Sequence, residues 1–209
     1  MQPCFFHFAS GVITGYPFFY MRNKLLTMMA LAMCVSYAAV AAEPTAFELV
    51  KLGDKYIGEQ SKDKVVQIRS EKSVGSLIPN IWYVVYYDPD ARMKSVEVKF
   101  GAGQKLDVVR PFRLFERAGR GKEPLDGTKL KVDSDRAIKI ATTQPLLSNL
   151  SVKATQLWLE HGDLGPQWKV KLWAAKLRHP NDNADIGVVI ISADDASVIK
   201  TDLHPKSVD

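Results

Sequence analysis

The chain has few cysteines, and its larger part has none. Of the 209 residues only Cys4 and Cys34 are cysteines, and both lie among the first 42 residues. Structural disulfides, cysteine-ligated zinc and a cysteine nucleophile are therefore excluded from the remaining 167 residues.

An excess of charge of one sign is also lacking. The sequence has 28 Lys and Arg residues against 23 Asp and Glu residues, a net charge of +5. The first 42 residues hold two of these cations, Arg22 and Lys24, and no acid, so 26 cations face 23 acids in the remainder, a net charge of +3. Nucleic-acid-binding domains usually carry a dense basic stripe. A net charge of only +3 therefore disfavours nucleic acid as a partner.

Motifs of catalytic and metal sites are missing as well. After residue 42 the histidines are His161, His179 and His204, and none has H-E-x-x-H spacing. No G-x-S-x-G, P-loop or G-x-G-x-x-G sequence is present. Asn181–Asp185 places oxygen ligands at alternate positions like a calcium loop, but Ile186 stands where the turn glycine belongs, so we interpret it as a polar turn. We expect no catalytic residues, no metal and no cofactor.

Residues 21–42 have the pattern of a secretory signal peptide. Arg22 and Lys24 precede about 16 apolar residues, 25–40, and small residues follow before Glu43. We predict cleavage near Glu43 and a periplasmic or secreted location. Because the apolar run is shorter than the ~20 residues that span a bilayer, we expect no stable membrane span after cleavage.

Alternatives for the N-terminal part stay open. The signal could be retained as an anchor, or Cys34 could be lipidated, although Met33 is not the small residue expected before a lipidated cysteine. Residues 1–20 precede Met21, which can itself begin the signal. An upstream start explains residues 1–20 most simply, and two short membrane segments forming a hairpin are the alternative.

Two segments of similar pattern follow the signal. Trp82–Tyr87 and Trp168–Trp173 share the order Trp-x-Val-x-apolar-aromatic, 86 positions apart. Other matches occur in the same order around them, which indicates an internal repeat. We therefore divide the chain into an upstream segment and signal peptide (1–42), a first unit (43–111), a basic connector (112–124) and a second unit (125–209).

Each unit is predicted to begin with a helix and continue as strands. Thr45 and Glu48 form a capping box at the start of the first helix, and Ser134 is the predicted N-cap of the second, which Pro145 should end. Apolar and polar residues then alternate in four segments, with a hairpin turn after the second: Val65–Arg69, Val96–Phe100, Val152–Leu159 and Ile186–Ile190. The expected fold class is α+β, with two tandem helix-plus-antiparallel-sheet repeats.

In the second unit, Ser134–Ala141 is predicted as a short helix and Val188–Ile199 as a closing hairpin. These two segments resemble the helix and the last hairpin of the PepSY domain, except that Ala196 replaces the turn glycine of that hairpin. Two tandem copies also look like the architecture of β-lactamase inhibitor proteins. Either resemblance implies a secreted or periplasmic binding or inhibitory module without a cofactor or catalytic residues.

Five residues are candidates for binding a partner. If Trp82, Val84 and Tyr86 face the helix, alternation turns the residues between them away from it. The candidates in the two units are Tyr83, Tyr87, Lys169, Lys171 and Trp173. Aromatic residues beside lysine on an uncovered sheet are typical of an interaction surface. The alternative is that the other repeat or a second subunit covers these aromatic residues.

A basic segment adjoins and includes the connector. Its cations are Arg110, Arg113, Arg117, Arg120 and Lys122. Interleaved with Phe112 and Phe115, they could meet an anionic surface or an acidic partner. Alternatively, the aromatic residues pack between the units and the cations are only solvated.

These patterns predict an exported, non-enzymatic binding or inhibitory module. It would act on another envelope or secreted protein, such as a peptidase or other hydrolase. The alternatives are an envelope scaffold or a protein that sequesters a small ligand, and, less favoured, a small hydrolase that uses carboxylates.

Overall fold

The computed structural model describes residues 43–110 and 123–208, except the side chains of residues 180 and 182. The first part holds a helix and four strands: α1 (Ala46–Gly53), β1 (Val65–Ser70), β2 (Ile81–Tyr87), β3 (Ser95–Gly101) and β4 (Gln104–Val109). The second part repeats this order: α2 (Ser134–Thr142), β5 (Leu150–Gly162), β6 (Gly165–Lys176), β7 (His179–Ser192) and β8 (Val198–Leu203).

All eight strands of the described residues lie in one antiparallel sheet, in the order β4-β3-β2-β1-β5-β6-β7-β8. The expected fold class, α+β with two tandem helix-plus-antiparallel-sheet repeats, is therefore wrong. The structure is mostly a single sheet, with two short helices. Alternation along a strand indicates which side chains share a face, but it does not indicate which strands are neighbours. The pairing of β1 with β5 at the centre of the sheet could therefore not be predicted from the sequence.

Side chains extend the contact between β1 and β5, which we call the seam. At the centre of the sheet, two residues of β1 pair directly with residues of β5: Ile68 with Leu159, and Arg69 with Trp158. Beyond them, Ser70 Oγ accepts a hydrogen bond from the Leu157 N–H at 2.9 Å, and Ser73 Oγ accepts one from the Thr155 N–H at 2.9 Å. Both serines are buried, so their hydroxyls take the place of backbone carbonyls in the ladder.

The two helices begin next to each other. The capping box predicted at Thr45 and Glu48 is confirmed. The predicted N-cap of α2 is one residue too late, because Asp133 is the N-cap and Ser134 is already helical. Asp133 Oδ1 accepts from the Ser134 N–H at 2.6 Å and from the Phe47 N–H of α1 at 3.2 Å. One carboxylate therefore serves the N-termini of both helices, where negative charge is favourable.

The core lies on the face of the sheet that carries the two helices. The expected orientation of Trp82, Val84 and Tyr86 toward the helices is confirmed, since all three are buried in the core cluster. Their counterparts Trp168, Val170 and Leu172 are fully buried in the same cluster. The indole N–H of Trp82 donates to the Pro79 carbonyl at 2.8 Å, and that of Trp168 donates to the Val132 carbonyl at 2.7 Å. Each buried indole thus has its hydrogen-bond partner.

Two turns differ in how well the sequence predicted them. The hairpin after β3 is confirmed: Ala102 and Gly103 both have positive φ, 47° and 75°, as a two-residue hairpin requires. The polar turn predicted at Asn181–Asp185 is wrong, because these residues lie within β7. The chain turns earlier, between Lys176 and His179.

Candidate functional site

The face of the sheet opposite α1 and α2, called here the outer face, carries a row of side chains across all eight strands. Directly paired residues of an antiparallel sheet project to the same face. The register therefore aligns, from β4 to β8, Asp107, Lys99, Tyr83, Arg69, Trp158, Lys169, Ile190 and Lys200. Aromatic rings and cations dominate the middle of this row.

Tyr83 lies between two cations on the outer face. The guanidinium carbon of Arg69 is 4.0 Å from the ring centroid, and the Lys99 ammonium is 5.1 Å from it. The phenol donates a hydrogen bond to the Glu71 carboxylate at 2.6 Å. Burial raises the pKa of Tyr83, and the hydrogen bond to Glu71 raises it further. The phenol therefore stays neutral and fixed, which favours positioning over proton transfer. We call Tyr83, Arg69 and Lys99 the tyrosine cluster.

Trp173 has a similar arrangement on the other side of the seam. The Lys72 ammonium is 4.4 Å from the indole ring centroid and the Lys171 ammonium is 5.1 Å from it. Lys171 also pairs with Asp185 at 2.6 Å. Lys72 is exposed, and the described residues offer it no ion pair. We call Trp173, Lys72 and Lys171 the tryptophan cluster. Two cations beside one ring are held by the negative face of its π-system.

Two carboxylates of the outer face lie deeper than the cations that pair with them, whereas Asp185, with a side chain 45% exposed, is more exposed than its partner Lys171 at 31%. Arg69 pairs with Glu97 at 2.6 Å, and the Arg69 side chain is 22% exposed while that of Glu97 is 9% exposed. Lys169 pairs with Glu160, with side chains 39% and 9% exposed. Gln67, also buried, donates to Glu160 at 3.3 Å. At these two pairs, the groups that an approaching molecule would meet first are the cations.

The structure brings four of the five predicted binding residues into this arrangement. Tyr83, Lys171 and Trp173 belong to the two clusters, and Lys169 covers Glu160. All four are partly exposed. Tyr87 is also partly exposed, but it lies at the end of β2 opposite Ser95, in neither cluster.

Sequence reasoning missed Arg69, Lys72 and Trp158. Arg69 and Trp158 are direct partners across the seam, so the unpredicted pairing of β1 with β5 concealed their proximity. Trp158 had a usable signal, because it alternates with two apolar residues in a predicted strand. Lys72 had none, since it lies in the connection after β1 and reaches Trp173 of β6 only through the tertiary structure.

Most of the basic segment lies outside the described residues: Arg113, Arg117, Arg120 and Lys122. Arg110 is described and exposed, and its Nε donates to the buried carboxylate of Asp88 at 3.2 Å. This contact ties the end of β4 to the turn between β2 and β3. The binding role predicted for the connector stays a prediction.

Residues 43–110 and 123–208 contain neither a cluster of metal-ligating side chains nor a helix that could span a membrane. No group of three or more His, Cys, Asp or Glu residues there could hold a metal ion. None of the helices in that part is long and apolar enough to cross a membrane.

Comparisons with protein-family models, with curated proteins and with solved structures give no match to this chain. The resemblance to the PepSY domain and the architectural likeness to β-lactamase inhibitor proteins therefore stay predictions.

Proposed function

We propose that this chain is an exported, non-enzymatic module that binds another envelope or secreted protein through the outer face of its sheet. Export rests on the signal-peptide pattern of residues 21–42. The observation that carries the binding proposal is the pair of ring-and-cation clusters around Tyr83 and Trp173.

Both clusters have the composition of a protein interface. Tyr, Trp and Arg are the residues most enriched among those that dominate binding energy, because they present large, rigid area with polar edges. At the tyrosine cluster, the Arg69 guanidinium lies over the Tyr83 ring and forms an ion pair with the buried carboxylate of Glu97. Its geometry is therefore set before a partner arrives, which reduces the entropy lost on binding.

Charge favours a partner that presents carboxylates. The acids Glu97 and Glu160 are buried beneath their cations, and Lys72 has no ion-pair partner among the described residues. Exposed Lys72 beside Trp173 can pair with a carboxylate of the partner, so complementary charge would guide the encounter and fix its orientation.

Affinity capture from the native envelope extract tests the proposal. The full chain should retain one stoichiometric protein, and Trp173→Ala and Lys72→Glu should each lose it. The matched controls are Tyr56→Ala and Lys105→Glu. Lys105 lies 5.4 Å from the Tyr56 ring centroid, and its strand partner is the core residue Phe100, so this pair lies on the helix side.

The results separate the competing functions. The proposal is contradicted if both outer-face variants still retain the captured protein, or if only the control variants lose it. A small molecule found by native mass spectrometry in place of a protein would instead support ligand sequestration.

A further inference from the structure

Strand β8 forms one edge of the eight-stranded sheet of the described residues. Its neighbour on one side is β7, and no described strand lies on the other. The residues from Val198 to Asp202 are all exposed. An edge strand with exposed residues presents unpaired backbone N–H and C=O groups that another strand can bind.

The register shows which backbone groups point outward. The His204 N–H donates to the Ile186 carbonyl at 2.7 Å, and Leu203 lies opposite Gly187. Because hydrogen-bonded and non-hydrogen-bonded pairs alternate in an antiparallel ladder, Asp202 and Lys200 bond inward to β7. The backbone groups of Thr201 therefore point to the free edge.

Side chains on either side of Thr201 are complementary to a second copy of the same strand. An antiparallel pair centred on Thr201 sets Lys200 of one protomer opposite the partner's Asp202, and the reverse. Both side chains share the outer face, since Lys200 pairs with Ile190 and Asp202 with Val188. Opposite charges directly across a strand pair stabilise it, and like charges destabilise it.

Within one chain these two charges are only loosely engaged. Lys200 Nζ lies 3.5 Å from Asp202 Oδ2, and His204 Nε2 lies 3.3 Å from Asp202 Oδ1; the side chains of Lys200, Asp202 and His204 are 62%, 53% and 70% exposed. Exposed ion pairs of this kind contribute little, so both groups are available to a partner.

The opposite edge of the sheet, strand β4, has the same Lys-x-Asp spacing but a different geometry. Strand β4 contains Lys105-Leu106-Asp107. A register shift in the β3–β4 ladder places Lys105 opposite the core residue Phe100 and Asp107 opposite the outer-face residue Lys99. The lysine and the aspartate thus lie on different faces, and β4 cannot form the reciprocal pairs.

We infer that two copies of this chain pair through β8, antiparallel about a two-fold axis at Thr201, and extend the sheet across the dimer. The two outer faces then adjoin. This dimer does not depend on the partner-binding role of the outer face, and either can hold without the other.

Charge reversal tests the dimer in the full chain by sedimentation equilibrium. Lys200→Asp and Asp202→Lys each place like charges opposite one another and should weaken dimerisation about tenfold or more, since two close pairs change sign. The double variant K200D/D202K restores both pairs and should restore dimerisation. The matched control K105D/D107K on β4 should leave it unchanged.

A cysteine cross-link gives a second readout. In a Cys4→Ser, Cys34→Ser background, Thr201→Cys puts one thiol beside its own copy at the axis. A hydrogen-bonded strand pair has Cα atoms ~5.5 Å apart, within the range for a disulfide. Oxidation should give a covalent dimer, and Lys105→Cys should not.

Three outcomes overturn the inference. They are a wild-type chain that stays monomeric at millimolar concentration, single variants that dimerise like wild type, and a double variant that fails to recover. Circular dichroism of each variant checks that the fold is kept; the substituted residues of β8 and β4, Lys200, Thr201, Asp202, Lys105 and Asp107, are all exposed.

Discussion

Ser70 Oγ accepts the backbone N–H of Leu157 at 2.9 Å, across the seam between the two halves of the sheet. Leu157 is fully buried and Ser70 is 3% exposed, so water cannot replace this acceptor. The continuity of the eight-stranded sheet therefore depends in part on one hydroxyl.

Replacing Ser70 tests the seam. Ser70→Ala leaves the buried Leu157 N–H without its acceptor and should lower the free energy of unfolding by about 1–3 kcal/mol. Urea denaturation measures the loss. Ser76→Ala is the matched control, because Ser76 is exposed and its hydroxyl bonds only to the backbone of Ile78; it should change stability by less than about 0.5 kcal/mol. Equal stability of the two variants would show that the seam hydroxyl contributes nothing.

Gly53 and Tyr86 should be energetically coupled. A Cβ at Gly53 would lie 2.1 Å from the Tyr86 hydroxyl oxygen, which itself donates to the Val50 carbonyl at 2.8 Å. Gly→Ala in a helix usually stabilises by about 1 kcal/mol, but Gly53→Ala should destabilise by about 1–3 kcal/mol because of this overlap.

A double-mutant cycle isolates that overlap. In a Tyr86→Phe background the oxygen is absent, so Gly53→Ala should cost at least about 1 kcal/mol less than in the wild-type chain. Gly127→Ala is the control, since no atom beyond its two chain neighbours lies within 4 Å of a Cβ built there. Additive effects of Gly53→Ala and Tyr86→Phe would refute the steric explanation.

Asp133 should stabilise both helices at once. Asp133→Ala removes the acceptor of the Ser134 and Phe47 N–H groups and should cost about 1–2 kcal/mol. Asp133→Asn keeps an acceptor oxygen but loses the charge, so its cost should be about 0.3–1 kcal/mol. Thermal unfolding distinguishes them. Asp135→Ala, an exposed acid in the first turn of α2, should cost less than Asp133→Ala; the reverse order would contradict the shared cap.

The pKa of Asp195 should depend on Ser197. The Ser197 N–H and hydroxyl donate to the Asp195 carboxylate at 3.0 and 2.7 Å and, with Ser192, lower its pKa to about 2 from the usual 3.8. A lowered carboxyl pKa stabilises the fold above pH 3.8, and that contribution is lost as the pH falls toward 2.

Carboxyl titration by NMR measures this dependence. Ser197→Ala removes one donor and should move the pKa of Asp195 back toward 3.8. Asp54 is the internal control, because burial raises its pKa, so it should titrate at higher pH in both proteins. An unchanged Asp195 in the variant would exclude the hydroxyl as a cause.

Strand alternation in the sequence predicts which side chains lie on the outer face, and the binding role of those side chains stays a prediction. Alternation from Trp82, which faces the core, predicts Tyr83 on the outer face, and Trp173 is predicted there as the counterpart of Tyr87 in the second unit. Arg69 and Lys72 could not be found in this way, since their proximity to those rings depends on strand pairing and on the path of the connection after β1.

The sequence alone determined three local features: the capping box at Thr45, the inward face of β2 and the hairpin after β3. These features depend on residues within a few positions of one another. Only the tertiary structure decided that β1 pairs with β5, that Asp133 serves both helices and that cations flank two rings. Those contacts join residues distant in sequence, and neither alternation nor composition specifies which strands become neighbours.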